Sequence, residues 1–343
     1  MKRLLKPCLV VILITILATI VVVACSGPGN QTDTTPEQSE QNLTMAYLAS
    51  FLSHEFYQRA LSGMQVEADL SGVELLVADS NNDVSAQVAH METYISQPPD
   101  SIILSAVDPN AVKSLVEKAR AAGIVVVSDG QPLDGGENTM VGNDWHHNGE
   151  MLAQWLVEEV QKRGIEANIL IIGLPTLPII ADLERGFTDV IEKSGIASKI
   201  ISVDGDGMKE QSLVRATDAL TANPDINIMF GINDDSALGA IQAAKTLGMD
   251  LTNMITLTHG LEGNGGCIAM AEEGTLTAAV ALFPEIYGAY MVRASIEAIN
   301  GQTLPEIYMS PVAIVTNDEI SQFYTRQGDE YVLNYENAIA LLN

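Results

Sequence analysis

The sequence predicts an α/β protein with parallel sheets arranged as two similar lobes, on three observations. Its short β-branched runs are apolar throughout instead of alternating, which suits strands covered by helices on both faces. Between the runs lie segments with apolar residues three and four apart, the period of a helix that buries one face. About nine such strands in roughly 300 residues exceed one comfortable core and favour two lobes.

In order, LTMAYLAS predicts a first strand and FYQRALSGMQVEADLSG the helix that follows it. VELLVAD precedes VSAQVAHMETYIS, SIILSA precedes NAVKSLVEKARAAG, and IVVVSD leads through a short strand to GEMLAQWLVEEVQKRG. The alternation then repeats: NILIIG before LERGFTDVIEKSG, KIISVD before QSLVRATDALTAN, INIMFG before SALGAIQAAKTLG, then MITLTH, and LTAAVAL before IYGAYMVRASIEAING. Strands alternating with helices are the pattern of α/β folds. The break between the halves is expected near GNDWHHNG, residues 142–149.

Ahead of this body, Lys2, Arg3 and Lys6 precede an uncharged run from Cys8 to Ala24, the composition of a targeting segment. Val22-Val23-Ala24-Cys25 resembles the lipobox of bacterial lipoproteins. Residues 1–24 therefore read as a lipoprotein signal peptide and Cys25 as the lipidated new N-terminus, with an uncleaved signal anchor as the alternative. Either leaves the body outside the cytoplasm. Residues 25–41 are polar and rich in Gly, Pro, Ser and Thr, a flexible tether.

Net charge is −27, and the leader contributes only basic residues. Phosphate binding needs clustered Lys and Arg, so nucleic acid is excluded as a partner. With Cys8 in the leader and Cys25 lipidated, Cys267 has no partner, and it reads as a small buried hydrophobe.

In open α/β sheets ligands sit beyond the carboxyl ends of the strands. Those positions carry Ser53-His54-Glu55-Phe56-Tyr57, Ser105, Asp108, Asp129 and Asn143-Asp144-Trp145 in the first half and at the break. The second half supplies Pro175-Thr176, Asp204 to Met208, Asn233-Asp234-Asp235, His259 and Leu282-Phe283-Pro284. Carboxylates and amides bond hydroxyl pairs while aromatic faces cover C–H surface, so the mixture suits a neutral polyhydroxylated ligand. Asp83, Asp108 and Asp235 stand just before helices and read as N-caps. Asp129 and Asn233 each follow an apolar strand and point toward a cleft.

SHEFYQRALSGMQVEAD, SAVDPNAVKSLVEKARAAGIVVVSD, LERGF and NPDINIMFGINDDSALGAIQAAKTLG together resemble the ribose-binding-protein group of type I periplasmic solute-binding proteins, over about residues 43–315. The resemblance implies two Rossmann-like lobes joined by a three-segment hinge. The N-terminal lobe would comprise residues 42–144 with about 284–310, and the C-terminal lobe 145–283 with about 311–343. It implies closure on one sugar or polyol and presentation to ABC permease subunits, with no enzymatic activity, no cofactor and no metal. A monomer is expected. Phe56 and Tyr57 match the group's paired aromatics, His54 stands where an asparagine is usual, Asp129 matches the first-lobe aspartate and Asn233 the second-lobe asparagine. Departures are equally informative. The group's Asp-Arg pair reads Asp129-Gly130, its second-lobe arginine falls at about Ala181, an aspartate is replaced by His259 and a glutamine by Leu282. Loss of two guanidinium forks argues against ribose and leaves a less charged pocket, with Trp145 and LPTLPII available for replacement contacts. A sugar alcohol, a deoxy or less polar sugar, or a small furanosyl signal molecule remains open.

Ligand-binding candidates are thus His54, Phe56, Tyr57, Ser105, Asp129, Trp145, Asn233 and His259. His146 and His147 lie beside Asp144, but adjacent His residues rarely share a metal and neither HExxH nor CxxC occurs. GLEGNGG fits no phosphate-binding pattern and reads as a turn before a helix, and no Gly-x-Ser-x-Gly elbow is present. A lactose-repressor-type regulator would need a basic helix-turn-helix where this chain has an export signal. A receptor handing occupancy to a sensory partner shares the fold and stays open. The segment from Val315 to Asn343 is longer than the resemblance requires.

Overall fold

The computed structural model describes residues 43–342, so the leader, Cys25 and the tether fall outside the described residues. The first sheet contains β1 (Thr44–Ala49), β2 (Glu74–Asp79), β3 (Ser101–Leu104), β4 (Val125–Asp129) and β5 (Thr139–Gly142). Helices α1 (Glu55–Ser71), α2 (Val84–Ser96) and α3 (Pro109–Ala121) follow its first three strands. After β5 the chain enters α4 (Trp145–Arg163) and a second sheet of β6 (Ala167–Gly173), β7 (Ala197–Asp204), β8 (Ile228–Gly231), β9 (Ile255–Gly260) and β10 (Ala278–Ala281). The intervening helices are α5 (Pro178–Ser194), α6 (Lys209–Ala222), α7 (Asp234–Thr246) and α8 (Asn264–Ala271). Helix α9 (Pro284–Ile299) returns to pack on α1 and against β4 and β5. Then β11 (Ile307–Met309) joins the first sheet and β12 (Ala313–Thr316) the second.

The sheet orders are β11-β5-β4-β3-β1-β2 and β12-β10-β9-β8-β6-β7, parallel except that β12 runs antiparallel to β10. The continuous apolar runs are explained by burial on both faces. Met45, Tyr47 and Ala49 enter one core cluster while Ala46 and Leu48 enter the cluster on the opposite face. In β6, Leu170 and Ile172 likewise face away from Ile169 and Ile171. Each fully buried Leu, Ile or Met among them contributes about 1.5–3 kcal/mol.

Within each lobe, one pair of helices crosses closely because glycines face the contact. A Cβ on Gly63 would lie 1.8 Å from the Glu285 carbonyl oxygen and one on Gly288 1.9 Å from that of Ala60, where α1 meets α9. Where α4 meets α5, the corresponding distances are 2.2 Å from Gly149 to the Leu183 carbonyl and 2.0 Å from Gly186 to that of His146.

Beyond β12 the chain forms α10 (Ile320–Phe323), a hairpin of β13 (Tyr324–Gln327) and β14 (Glu330–Leu333), and α11 (Tyr335–Leu342). Ile320, Phe323, Tyr324, Tyr331, Leu333 and Ala338 join the core cluster containing Cys267, Met270 and Phe283. This tail also touches the first lobe: Arg59 donates to the Tyr331 carbonyl at 3.1 Å and Arg293 to the Tyr335 hydroxyl at 3.4 Å. It thus covers the crossover at Phe283, a left-handed aromatic residue with φ 46° stacked near Phe323 and Tyr324. Such a backbone persists only where surrounding packing holds it.

Candidate functional site

The carboxyl ends of the two sheets face a cavity of about 520 Å³. From the first sheet it is lined by Ser50, Phe51 and His54 after β1, Ser105 after β3, Asp129 to Gln131 at β4, and Asn143 after β5. From the second come Leu174 and Leu177 after β6, Gly207 after β7, Ile232 and Asn233 after β8, His259 and Glu262 at β9, and Leu282 after β10. Phe56, Tyr57, Trp145 and Tyr287 complete it from the first turns of α1, α4 and α9.

All eight candidates from the sequence line this cavity, in different states of engagement. Asp129 is buried, with the Tyr287 hydroxyl donating to Oδ1 at 2.7 Å while Oδ2 has no partner. Burial pushes its carboxyl above the usual range, an effect opposed by the hydroxyls of Tyr287, then Ser105 and Tyr47. Positive φ at Gly130 (72°) brings the backbone past Tyr287, whose hydroxyl would lie 3.3 Å from any Cβ there. Ser105 and Ser50 share a hydrogen bond of 3.1 Å. Buried Gln87 shapes the loop after β3 by donating to the Ser105 carbonyl at 2.8 Å and accepting from the Val107 amide at 2.8 Å. His54 caps α1, with Nδ1 accepting from the Phe56 amide at 3.2 Å. Phe56 and Tyr57 meet edge to face, 5.4 Å between centroids and 89° between planes.

The second wall is drier. Asn233 spends both ends within the protein: Oδ1 accepts from the Ser236 amide at 2.8 Å, capping α7, and Nδ2 donates to the Gly207 carbonyl at 2.9 Å. His259 Nε2 lies 3.1 Å from Asn148 Nδ2, and burial holds the imidazole neutral, its pKa lowered to about 3. Trp145 stands 4.6 Å from its ring centroid. Leu174, Leu177, Ile179, Ile180, Ile232 and Leu282 make the remainder of this wall apolar apart from Gly207 and Glu262. Capping also differs in part from the sequence reading. Asp83 and Asp108 do cap α2 and α3, but α7 is capped by Asn233, which places Asp235 inside the helix. Cys267 is buried, and His146 and His147 pair with Glu150 on α4, His146 also with Asp182.

Sequence reasoning missed Tyr287 and Glu262. Tyr287 comes from the first turn of a helix following a crossover, a place where strand-end positions do not point. Glu262 was findable as the one acid in GLEGNGG. Its loop is organised by Asp234, which accepts from the amides of Leu261 at 2.8 Å and Glu262 at 3.0 Å and from the Thr258 hydroxyl at 3.2 Å. Glycines at 260 and 266 leave room, since a Cβ would come within 2.8 Å and 2.2 Å of the Asp234 carboxylate. With these donors Asp234 is the member of the pair that keeps the charge, although burial pushes its carboxyl up to about 6. Burial first, then the Asp234 charge, holds the Glu262 proton well above the ordinary carboxylate range.

A stability prediction follows with its sign. Folded Glu262 binds a proton that the unfolded chain, at about 4.5, has released, so stability falls as pH rises above that value. Asp129 acts in the same direction. Thermal melts between about pH 5 and about pH 8 should show a falling melting temperature, and Glu262→Gln should flatten part of that slope. An unchanged slope in the variant would contradict the assignment.

Fold and site together define a class: two α/β lobes holding a preformed cavity between the carboxyl ends of their sheets, built to take up a solute. The periplasmic binding protein domain matches residues 45–303, and the chain belongs to that family. Its relatives are binding proteins for sugar transport, not enzymes. It is 26% identical over 302 residues to the ribose import binding protein RbsB of Bacillus subtilis, covering 88% of this chain and 96% of the relative. Among solved structures, a periplasmic solute-binding protein of an ABC transporter from Actinobacillus succinogenes with bound D-allose superimposes with TM-score 0.74 at 24% identity, over 82% of this chain and 100% of that one. A solute-binding protein from Mycobacterium smegmatis with bound glycerol gives TM-score 0.72 at 23% identity, covering 85% of this chain and 99% of the other.

Proposed function

We propose that this protein is a lipid-anchored extracytoplasmic receptor that captures a small sugar or polyol in its interlobe cleft and delivers it to the membrane subunits of an ABC importer. The observation that carries the reading is Asp129 Oδ2, a buried acceptor without a partner at the floor of a cavity large enough for one sugar. Such an atom calls for a hydroxyl donor from the ligand. The ribose, D-allose and glycerol named for its relatives point to the same ligand chemistry.

In this reading, residues 42–144 with about 284–310 move against residues 145–283 with about 311–343 at the three crossovers. Ligand hydroxyls first meet Asp129, Ser105, Tyr57 and His54. Hinge closure then brings the apolar second wall over the C–H face, with Trp145 and Phe56 as aromatic contacts and Asn233 and His259 fixing the wall from behind. A wall so poor in free polar groups favours a deoxy sugar or polyol over a fully hydroxylated pyranose. Cys25 holds the anchor, residues 25–41 give reach to the permease, and the monomer is the working unit.

A thermal-shift screen over pentoses, hexoses, deoxy sugars and polyols tests the reading. A ligand that binds only the folded state raises the melting temperature, by about 2.7 kcal/mol of added stability at a hundredfold excess over Kd. At least one member should do so, and silence across the whole set would refute a sugar ligand.

A further inference from the structure

The charge balance of the cleft carries a further step, which rests on the cleft being the site of a polyhydroxylated solute. Two acids face the cavity from opposite lobes, Asp129 at the end of β4 and Glu262 in the loop after β9. Asp129 is 6% exposed, and among the described residues its Oδ2 makes no close hydrogen bond, with the Ser105 and Tyr47 hydroxyls the nearby donors of the chain. Glu262 is 9% exposed, has the Asp234 backbone N–H beside it, and has Asp234, Asp235 and Glu55 as charged neighbours.

Among the described residues no cation is placed to match them, and no Lys or Arg of theirs lines the cavity. Arg59 on neighbouring α1 is occupied by Glu55, Glu285 and the Tyr331 carbonyl. Of the two imidazoles, His259 is neutral and held by Asn148, and His54 gives Nδ1 to the Phe56 amide. A buried carboxylate is stable when it is paired or when it keeps a proton. A hydroxyl ligand would satisfy Oδ2 and leave the charge unbalanced, whereas an ammonium brings three donors and the charge together.

We propose that the solute carries a protonated amine, as an amino sugar or an amino-deoxy polyol does. Its ammonium is received by Asp129 Oδ2, and Glu262 on the other lobe, which keeps its proton in the unliganded protein, can give that proton up beside the cation. Its hydroxyls meet Ser105, Asn143 and Tyr57, and its C–H face lies against Leu174, Ile180 and Leu282. Because the two acids come from opposite lobes, a cation between them favours the closed arrangement over the open one.

Matched pairs test this on the full chain in mild detergent by isothermal titration: glucosamine with glucose, galactosamine with galactose, mannosamine with mannose, and amino-deoxy pentitols with the parent pentitols. In at least one pair the amine should bind about tenfold more tightly, because a charge-assisted hydrogen bond is roughly twice as strong as a neutral one. Asp129→Asn should erase that preference while affecting the neutral member less, and Glu262→Gln should reduce it. Both variants should melt at or above the wild-type temperature without ligand at neutral pH, since each replaces an acid whose ionised form burial disfavours by its neutral amide isostere. If every pair that binds shows the neutral member equal or tighter, or if the preference survives in Asp129→Asn, the amine is refuted and the sugar reading stands. If no member of any pair binds, the amine is refuted, and the sugar reading fails with it only when the wider thermal-shift screen is silent too.

Discussion

Asp129→Ala is expected to lose about 3 kcal/mol of binding free energy, roughly a 150-fold rise in Kd. The estimate adds two consequences of one deletion. Ligand donors that Oδ2 would accept from are left buried without a partner, at about 1–3 kcal/mol. The Tyr287 hydroxyl also loses its 2.7 Å acceptor and falls back on the Val141 carbonyl at 3.0 Å, which removes the contact fixing it in the cavity wall. Stability should not suffer, because the deleted group is a carboxylate whose charge burial disfavours. Isothermal titration beside a thermal melt separates the two readouts. A Kd within about threefold of wild type would remove Asp129 from the site.

Gly288→Ala is expected to cost about 3 kcal/mol of stability, the upper end of the usual range for overpacking. The new Cβ would lie 1.9 Å from the Ala60 carbonyl oxygen and 2.7 Å from its carbon, both backbone atoms of the facing helix. No side-chain rotation relieves that contact, so α9 and α1 must separate. Each carries part of the site, Tyr287 on α9 and Phe56 and Tyr57 on α1, with Phe56 and Tyr287 rings only 5.5 Å apart. Weaker ligand binding should therefore accompany a melting temperature lowered by about 6–10 °C. Gly265→Ala is the mild comparison, since its Cβ would meet only the Leu238 Cδ1 atom, at 3.0 Å. Equal melting points for the two variants would contradict the close-crossing account.

Much of the architecture was legible because it is written in local periodicity. Apolar runs such as IVVVSD and INIMFG carry no alternation, and the fold buries both of their faces. Turn chemistry was legible for the same reason, as at GLEGNGG, which turns into α8. What periodicity cannot carry is which helices cross. Gly63 and Gly288 lie in two helices far apart in the sequence, and only the fold brings them to one contact. The tail was equally hidden: YTRQ and EYVL are short and mostly polar, and their pairing through a Gly328 turn depends on the cluster around Phe283 that they cover.

The cleft was legible where it follows strand ends, as with Ser105, Asp129 and His259, and illegible where tertiary contacts set the chemistry. Asn233 and Asp235 show the difference. Both stand after β8, and only the observed first turn of α7 shows that Asn233 is the cap and that its amide is spent on Gly207. Tyr287 is the counterpart, a helix residue whose hydroxyl is fixed in the cavity wall by Asp129, a partner far away in the chain.

The claim that one solute is held between the lobes is tested most directly by Trp145 fluorescence. Trp145 and Trp155 are the two tryptophans of the chain, and Trp145 lines the cavity while Trp155 packs against the second-lobe core. In a Trp155→Phe background, titration with any ligand that raises the melting temperature should change Trp145 emission saturably, at one ligand per chain, with the response lost in Asp129→Ala. Emission that stays constant while the same ligand still stabilises the protein would place binding elsewhere and contradict the account.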